Sequence, residues 1–534
     1  MIEPHRLQAP RQHGAVVAEP PLSAVGSLLA ANRDRLRAAR GDLLGRPWQE
    51  LRREARHAAV QAARTYLHHA GEPAPSFSSE ALLLAGHQPE LFHPGVWVKN
   101  FALHGLARAH GLTPVNLVVD NDTVKSAALR LPAVTVPLPP VSAAPPHLLA
   151  VPFDRPAQEV PYEERAVRNE ALFASLPQRA QTSWNFVPLL GEFWTEVLRQ
   201  AKRTPLLGER LAAARRTWER RWGCLNLELP VSALCRTEPF AWFACHLLSH
   251  LPRLHAIYND SVHAYRRQYG IRSRHHPVPD LAADGDWREA PFWAWRSGQA
   301  QRGRLMVRPT GTALELRCGA EEWPALPRAV PEMVRAFCGL EARGFKVRSR
   351  ALTNTLYARL FLADLFLHGI GGGKYDELTD ALIRRFYGLE PPGYLVLSAT
   401  LLLPLPTYPA SAAECRRLKR ELRELIWNPQ RHLADGDAAL QDLKKQKDAW
   451  VAQHPRERRQ RWERYRALRA LTEQLRVPLE GRIRETEARL AECERQLDAN
   501  AILQRRDYAF CLYPEELLRP FCTQFLGGEG APGM

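Results

Sequence analysis

Two apolar runs that flank a helical pattern, between residues 81 and 126, constrain the fold more than any other feature of the sequence. The first run, residues 81–85, is too short for a helix and is closed by Gly86, which favours a buried strand. The second run, residues 115–119, is rich in valine. Because the helical pattern between them is long enough for a right-handed crossover, the two strands should be parallel neighbours in one sheet. This stretch predicts an α/β protein with a parallel core.

Polar residues follow both predicted strands, in residues 86–95 and 120–125. Ligands of such sheets bind beyond the carboxyl ends of the strands, so both clusters should border one site. His87, His93 and Asp122 are the candidates for chemistry, because imidazole and carboxylate together supply a proton carrier near neutral pH. The alternative is that these side chains cap the loop and the helix that follows it.

A second glycine-rich stretch, residues 369–374, comes after a predicted strand at 345–349 and a predicted buried helix at 352–367. Successive glycines at 371–373 let backbone amides approach an anion closely, whereas the alternative is a tight turn that needs positive φ. A Walker A loop is excluded, because His368 stands where its first glycine is required and Tyr375 replaces its Ser or Thr. Residues 394–402 predict a further core strand.

These stretches resemble a known family. Residues 86–95, Gly-His-Gln-Pro-Glu-Leu-Phe-His-Pro-Gly, are similar to the Gly-Gln-Gln-x-Gly-Leu-Phe-Thr-Gly-Pro loop of the cysteine-adding enzyme of bacillithiol biosynthesis. Residues 120–122, Asp-Asn-Asp, stand where that family carries Glu-Asp-His-Asp. Residues 350–356 and 369–374 resemble its Leu-Thr-Arg-Pro-Leu segment and its Ile-Gly-Gly-x-Gly-Glu loop. The order of the parts and the chain length agree as well.

The resemblance implies a Rossmann-like core similar to that of class I nucleotide-binding ligases, a coiled coil associated with dimers, and a reaction that joins cysteine to glucosaminyl malate. It places His87, Gln88, His93 and Gly95 on one side of the site, residues 120–122 at its base, and Thr353 with residues 371–373 on the other side. Our candidates from these stretches for binding substrate or cofactor are Gly86, Gln88, Gly95, Asp120, Asn121, Lys125, Thr353, Asn354, Gly371, Gly372, Gly373 and Lys374.

The chain departs from the family at charged and polar positions. His87 replaces a glutamine, residues 93–95 differ, and Lys374 stands where the family has an acidic residue. A change of charge in the glycine-rich stretch means that the substrate can differ. We therefore predict a ligase-like, carbon–nitrogen bond-forming enzyme that joins an amino acid such as cysteine to a small amino-sugar or carboxylate acceptor. A nucleotide, ATP or ADP, is the candidate cofactor.

Residues 258–279 form a second candidate pocket. Amide, carboxylate, imidazole, phenol and guanidinium groups lie close together there, which suits a polar, charged substrate. The candidates are Asn259, Asp260, Arg274 and His275. The alternative is a surface helix followed by a basic turn.

A metal site can be imagined nearby, at His246 and His250. They are four residues apart on a predicted helix, as in many transition-metal sites. No third ligand is fixed by spacing and no Glu lies between them, so we predict no metal site.

The net charge of +16 and the pI near 9.7 invite a nucleic-acid hypothesis. The basic residues are not clustered, however. Residues 411–500 hold 21 basic and 16 acidic residues, which is a surface of mixed sign. The charge pattern therefore favours a small-molecule substrate over nucleic acid.

The nine cysteines are odd in number and lack CxxC pairs, and the N-terminus has no apolar segment of the signal-peptide kind. We therefore predict a reducing compartment, free thiols and a cytoplasmic location. The longest apolar stretches are interrupted by charged or polar residues, so no membrane association is predicted.

The patterns divide the chain into six parts. These are a helical cap (1–80), the first half of the core (81–130), an α+β insertion that opens with a proline-rich linker and contains a small antiparallel sheet (131–343), the second half of the core (344–408), a helical hairpin (409–505) and a tail that packs on the core (506–534).

The helical hairpin is predicted from leucines spaced by three, four and seven residues. His454 and Pro455 lie near its middle, so the chain should turn there and form an antiparallel coiled coil, with interruptions near residues 428–437 and 478. The leucine stripe is longer than one interrupted arm can cover. We therefore predict a homodimer formed through the hairpin.

Two rival hypotheses come from other classes of protein. The HIGH and KMSKS signatures of class I nucleotide-binding ligases are missing, which would fit a binding or scaffold protein that has lost its chemistry. Such a protein would show no turnover. A nucleic-acid-binding protein would show binding that falls steeply with salt.

Overall fold

The computed structural model describes residues 7–156, 159–272, 278–299, 301–434 and 438–527. The strands are β1 (Val16–Glu19), β2 (Asp42–Leu43), β3 (Arg46–Pro47), β4 (Leu82–His87), β5 (Thr113–Val118), β6 (Ala128–Ala133), β7 (His147–Pro152), β8 (Leu227–Pro230), β9 (Ala283–Asp284), β10 (Trp287–Arg296), β11 (Gly303–Pro309), β12 (Ala313–Cys318), β13 (Glu321–Pro327), β14 (Phe345–Ser349), β15 (Leu365–His368) and β16 (Leu395–Ala399).

The helices are α1 (Val25–Ala38), α2 (Trp48–His69), α3 (Pro94–Ala109), α4 (Glu170–Ala174), α5 (Leu176–Arg179), α6 (Leu190–Arg199), α7 (Leu207–Arg221), α8 (Val231–Leu234), α9 (Glu238–Ser249), α10 (Leu251–Gln268), α11 (Val330–Cys338), α12 (Ala351–Tyr357), α13 (Ile370–Leu382), α14 (Ala412–Trp427), α15 (Ala438–Ala452), α16 (Arg458–Arg476), α17 (Glu480–Leu503) and α18 (Glu515–Thr523). None of the described helices is long and apolar enough to cross a membrane.

A six-stranded sheet in the order β1-β16-β15-β4-β5-β8 forms the centre of the molecule. Its last five strands are parallel, and β1 is antiparallel at one edge. The predicted strands β4 and β5 pair in parallel with Leu82 opposite Thr113, as the two apolar runs and the crossover helix α3 require. The predicted α/β class with a parallel sheet is confirmed.

Alternate residues of β4 supply two hydrophobic cores, one on each face of the sheet. Leu82 and Leu84 pack with α2 and α9, whereas Leu83 and Ala85 pack with α3 and the tail. Helix α13 lies on the face opposite α3, because a Cβ on its Gly373 would meet Val396, whose neighbours Leu395 and Leu397 face α3. The sheet is therefore covered by helices on both faces.

The insertion contains an antiparallel sheet in the order β13-β12-β11-β10-β14, with β9 beside β10. The small antiparallel sheet predicted for this region is confirmed. Strand β14 was predicted as a strand of the returning core, but it pairs with β10 in this second sheet. The chain re-enters the central sheet only at β15. The proline-rich linker contributes to the hairpin of β6 and β7, and its described residues form no α-helix, as its prolines predict.

Two predicted helical regions are wrong in part. The helix expected at residues 352–367 is α12, then a π-helical stretch, Ala358–Leu362, and then strand β15. The strand was missed because the apolar run is continuous, so its periodicity does not separate a buried helix from a buried strand. The helical cap contains α1 and α2 as expected, but it also supplies the edge strand β1.

Four helices form the predicted antiparallel hairpin. Cys415 of α14 faces Cys493 of α17, and Lys447 of α15 donates to the Trp427 carbonyl at 2.9 Å. The turn falls between α15 and α16, at the predicted His454 and Pro455. Leu418 and Leu425 of α14 are buried against the α16–α17 arm. On that arm Leu475 and Leu479 are buried, whereas Leu468, Leu490 and Leu497 are half-buried. The homodimer stays a prediction.

Cys415 and Cys493 form a disulfide, so the prediction of free thiols is wrong for this pair. The other seven cysteines are free. The aromatic tail packs on the core as predicted, since Tyr508, Phe510 and Tyr513 are buried there.

Candidate functional site

The polar clusters after β4 and β5 meet at the carboxyl edge of the central sheet. The Gln88 amide donates to Asp122 Oδ2 at 2.8 Å, which links the two loops directly. The Val119 N–H donates to the His87 carbonyl at 3.0 Å and continues the β4–β5 pairing into the loops. The structure therefore brings the predicted histidines and carboxylates to one edge.

His87 ends β4 and stays partly accessible, with 27% of its side chain exposed. Its ring packs edge-on to Phe92 at 5.1 Å between centroids, and Nδ1 lies 3.2 Å from the Gln88 carbonyl oxygen. Burial, followed by the charge of Lys99, lowers the pKa of His87 to about 3. The imidazole is therefore neutral at pH 7.

His93 precedes α3 in extended backbone and is its N-cap residue, but its side chain makes no capping hydrogen bond. Its Nδ1 is buried, without a hydrogen-bond partner in the described part of the chain. Burial, followed by the charge of Arg506, lowers the pKa of His93 to about 4. The capping alternative does not account for this side chain.

The three residues at the base of the site are held by different elements. Asp120 accepts hydrogen bonds from the Ser232 N–H at 2.9 Å and from the Ser232 hydroxyl. Asn121 donates to the Ser349 carbonyl at 2.7 Å, so it links the central sheet to β14. Burial, followed by the charge of Glu163, raises the pKa of Asp120 to about 7.

Asp122 also makes contacts with side chains from several elements. Besides the bond from Gln88, its Oδ1 accepts from its neighbour's backbone N–H at 2.9 Å and lies 3.2 Å from Arg302 Nη2. Arg302 comes from the insertion and stacks on Trp293 at 4.3 Å from the ring centroid. The second sheet is therefore joined to the base of the site by an ion pair.

Two cavities open at this edge. The larger, of about 590 Å³, lies at the carboxyl ends of β5 and β8, and the smaller, of about 400 Å³, lies over the loop that follows β4. Charged residues that line the larger cavity are Asp120, Glu163, Arg203, Glu209, Arg236 and Lys346. The smaller cavity is lined by His87, Glu90, His93, Lys125, Arg130 and Asp507. Tyr162 lines both cavities and stands in the wall between them.

Two predicted binding glycines near these cavities are explained by packing. A Cβ on Gly95 would lie 1.9 Å from the Ala399 carbonyl oxygen, and one on Gly86 would lie 3.1 Å from Leu117. Gly95 therefore allows α3 to approach the end of β16. Neither glycine is needed at its position to contact a ligand.

The glycine-rich stretch is not the loop that was expected, because α13 begins at Ile370 and residues 371–373 form its first turn. None of these glycines has positive φ, so the tight-turn alternative is wrong as well. A Cβ on Gly372 would lie 2.9 Å from His368, and one on Gly373 would lie 2.5 Å from Val396. Gly371 differs, since nothing lies within 4 Å of the position of its Cβ. Lys374 is half-buried in the second turn.

The other predicted residues are not brought into the two cavities. Thr353 is buried on α12 and donates to the Pro291 carbonyl at 2.7 Å, and its neighbour Asn354 is buried beside it. Both ends of the Asn259 amide bind the backbone of Leu281, at 2.9 and 2.8 Å. Asp260 pairs with Arg385 at 3.0 Å.

These contacts give Thr353, Asn259 and Asp260 structural roles. Arg274 and His275 lie outside the described residues. The rings of His246 and His250 are tilted by 42° with their centroids 4.5 Å apart, and no group of three metal-binding side chains occurs among the residues that the structure describes.

Sequence reasoning missed Lys99, Tyr162 and Arg506. Lys99 is only 4% exposed, and its Nζ lies 3.3 Å from the Gly86 carbonyl oxygen. Burial lowers its pKa to about 8. The signal in the sequence is a lysine, next to Asn100, within the mostly apolar stretch of residues 96–103. Tyr162 and Arg506 reach the site from distant parts of the chain, so no local pattern marks them.

No protein-family model and no curated protein matches this chain. The resemblance to the cysteine-adding enzyme therefore rests on the short stretches quoted above.

Proposed function

We propose that the chain is a ligase-like enzyme that joins an amine to a small carboxylate at the carboxyl edge of the central sheet. The observation that carries the proposal is the pair of neighbouring cavities with Tyr162 in their common wall. An enzyme that forms a bond between two small molecules must hold both of them side by side, and this proximity is a large part of its rate enhancement.

The charges in each cavity favour a different substrate. The larger cavity has carboxylates that suit an amine, namely Asp120, Glu163 and Glu209, and basic groups that suit an acid on the same molecule. The smaller cavity has two neutral histidines with Lys125 and Arg130, which suit a carboxylate, and it also has Glu90 and Asp507, which suit an ammonium group on the same molecule. This arrangement fits an amino acid in the smaller cavity and an acidic amino-sugar in the larger one.

Asp120 is the side chain best suited to move a proton in this reaction. An ammonium group must lose a proton before its nitrogen can attack a carboxyl carbon, and a base works best when its pKa is near the working pH. The pKa of Asp120 is raised to about 7, whereas those of His87 and His93 are lowered to about 3 and 4. We therefore assign proton transfer to Asp120 and substrate positioning to the histidines.

The proposal includes a Rossmann-like core of the class I nucleotide-binding ligase kind. Numbered along the chain, the five parallel strands lie in the order third, second, first, fourth, fifth, which is the order of a dinucleotide-binding half-sheet and its continuation. Amide formation removes an oxygen from the carboxylate, and that oxygen must leave on an activating group. ATP is the co-substrate that fits this requirement.

A cytoplasmic location is part of the proposal, and one observation opposes it. Disulfides persist in oxidising compartments and are rare in the cytoplasm, so the Cys415–Cys493 pair is unexpected there. The thiol content of protein purified from its native host, with free thiols alkylated at lysis, decides between the two compartments.

The test begins with a thermal-shift screen against nucleotides, amino acids and amino-sugars. A ligand at about 100 times its dissociation constant adds ~2.7 kcal/mol to the free energy of unfolding, which is readily measured. Ligands that bind are then mixed with ATP, and the products are analysed by mass spectrometry. A condensed product supports the proposal, whereas binding without turnover supports the scaffold hypothesis.

Asp120→Asn tests the assignment of the base. Its turnover should fall at least tenfold and lose the rise in rate near pH 7, because the amide does not accept a proton. The matched control is Asp34→Asn, which removes an exposed carboxylate on α1. An unchanged pH profile in Asp120→Asn would remove Asp120 from the mechanism.

A further inference from the structure

Lys99 is a buried cation without an acidic partner. It lies on α3, is 4% exposed, and its Nζ contacts the Gly86 carbonyl oxygen at 3.3 Å. In the part of the chain that the structure describes, no carboxylate lies within 4.0 Å of this Nζ. Burying an unpaired charge is costly, and buried charges normally have partners. Packing alone therefore does not explain why Lys99 is buried without a carboxylate partner.

The ionisable groups near Lys99 do not neutralise its charge. Its positive charge lowers the pKa of both His87 and His93, so both imidazoles lie close to it, and both are neutral at pH 7. From the tail, Arg506 donates to Ser398 and to the Ala399 carbonyl at 3.0 Å, and its neighbour Asp507 carries the opposite charge. The charge of Lys99 itself therefore has no counter-ion here, and an anion would stabilise it.

The N-terminus of α13 faces the same point. This 13-residue helix follows β15, and its N-cap Gly369 lies close to Lys99, since a Cβ there would be 3.9 Å from Nζ. No side chain of the described chain caps α13, and its first turn has no acidic residue. The first N–H groups of a helix carry partial positive charge and bind anions readily.

The space in front of this turn is open. The glycines at 372 and 373 are explained by their packing, but a Cβ on Gly371 would have nothing within 4 Å, and Gly371 is exposed. Strands β4 and β15 are neighbours, and the helices that follow them, α3 and α13, lie on opposite faces of the sheet. A sheet of this topology has its ligand crevice between these two strands.

We propose that Lys99 and the first turn of α13 bind a phosphate group of the ligand. This inference rests on the proposed function, in which the phosphate belongs to the nucleotide that activates the carboxylate. Lys99 is a binding residue in it: its ammonium donates to a phosphate oxygen from the α3 side, while the N–H groups of Ile370 and Gly371 donate from the α13 side.

The first experiment compares the wild type with Lys99→Met by isothermal titration with pyrophosphate, ATP and, as a carboxylate probe, citrate. Met has a similar length and no charge. Pyrophosphate and ATP should bind at least about tenfold more weakly to the variant, since one charge-assisted hydrogen bond is lost. The citrate affinity should change less. Lys445→Met, at an exposed position of the hairpin, is the matched control.

The unliganded melting temperature separates a binding role from a structural one. Lys99→Met removes a buried charge, so the variant should melt at a higher temperature than the wild type while it loses the shift caused by pyrophosphate. A structural lysine would give a lower melting temperature on replacement. That result, with unchanged pyrophosphate affinity, would overturn the inference.

Gly371→Leu provides a second, independent variant. Its side chain has room in the unliganded protein, so the fold should be kept, but it would occupy the place of the phosphate. Loss of pyrophosphate binding with an unchanged melting temperature supports the site. Unchanged binding overturns it, and so does an equal loss of citrate and pyrophosphate in Lys99→Met, which would mean that the site does not distinguish phosphate from carboxylate.

The experiments give one result if the phosphate site is wrong and a different result if the ligase function is wrong. If the wild type makes a condensed product and Lys99→Met makes it with the same KM for ATP, the ligase function stands and the phosphate site is overturned. If the wild type binds pyrophosphate through Lys99 but forms no product with any amine and carboxylate, the phosphate site stands and the ligase function fails.

Discussion

Burial changes the pKa values of Asp120, His87 and His93. At neutral pH, Asp120 can therefore accept a proton, whereas both histidines are neutral. Burial disfavours the charged form of any group, which raises the pKa of a carboxyl group and lowers that of an imidazole. Asp120, at about 7, is divided between its two forms at pH 7, whereas the histidines, at about 3 and 4, are neutral. The residue expected to bind substrate is therefore the better base, and the expected bases are better hydrogen-bonding groups.

The lowered pKa of His93 predicts a pH dependence of stability. Below pH 6.5 the unfolded chain takes up a proton at His93 and the folded chain does not until about pH 4, so stability falls as the pH is lowered through this window. Between pH 6.5 and pH 5 this residue should account for a loss of ~2 kcal/mol. In His93→Asn the loss over the same interval should be smaller by that amount, as measured by urea denaturation at each pH.

Subtracting the pH dependence of the unfolding free energy of His93→Asn from that of the wild type gives the contribution of His93 alone. Asp120 acts in the opposite direction, because its raised pKa means that stability falls as the pH rises from about 4 to 7, and this contribution is common to both proteins. His57→Asn, at an exposed position of α2, is the matched control. An equal change in the two histidine variants would contradict burial as the cause.

The part of the site that could be predicted from sequence consists of residues that directly follow the predicted strands. Gln88 and Asp122 follow adjacent parallel strands, and the carboxyl ends of such strands meet at one edge, so their contact at 2.8 Å follows from the pattern. Arg302 and Tyr162 reach the same edge from the insertion. Their positions depend on how the second sheet and the linker pack, and no periodicity carries that information.

At the scale of elements, the sequence predicted strands best where a short apolar run has clear ends. Strands β4 and β5 are bounded by turn residues and agree with the prediction, whereas β15 lies inside a continuous apolar run that predicts a helix. Strand β14 was predicted at the right residues, but its pairing with β10 in the second sheet was not predicted. Pairing partners are set by tertiary packing, which a strand of five residues does not specify.

Helices α3 and α13 offer a matched pair of glycines for a prediction at this scale. Gly95 and Gly371 are each the second residue of their helix, and neither has positive φ. Gly95→Ala should destabilise the protein by about 1–3 kcal/mol, because its Cβ would lie 1.9 Å from the Ala399 carbonyl oxygen and α3 would have to move. Urea denaturation measures the change.

Gly371→Ala, in contrast, should stabilise the protein. Its Cβ has open space, and alanine is favoured over glycine in a helix, so stability should rise by up to about 1 kcal/mol. If both replacements destabilise the protein equally, the first turn of α13 has a packing requirement like that of α3. The open space that the phosphate site needs would then be absent.

At the scale of the whole molecule, the hairpin carries large exposed apolar side chains. Trp427, Trp462, Tyr465 and Val477 lie on it, and the side chains of the first two are 65% and 57% exposed. Of its leucine stripe, Leu475 and Leu479 are buried, whereas Leu468, Leu490 and Leu497 are half-buried, so the stripe remains one reason to predict a dimer. The aromatic residues are a different reason, because exposed apolar patches mark interaction sites.

We predict that two copies of the chain associate through these aromatic residues. Sedimentation of the full chain at micromolar concentration should show a dimer, and Trp462→Ser combined with Tyr465→Ser should shift it to a monomer without lowering the melting temperature, because both side chains are already exposed. Val187→Ser, which replaces an 82% exposed side chain outside the hairpin, should leave the dimer intact. A full-length protein that sediments as a monomer would rule out the association, and a dimer that survives the double replacement would place its interface on another surface.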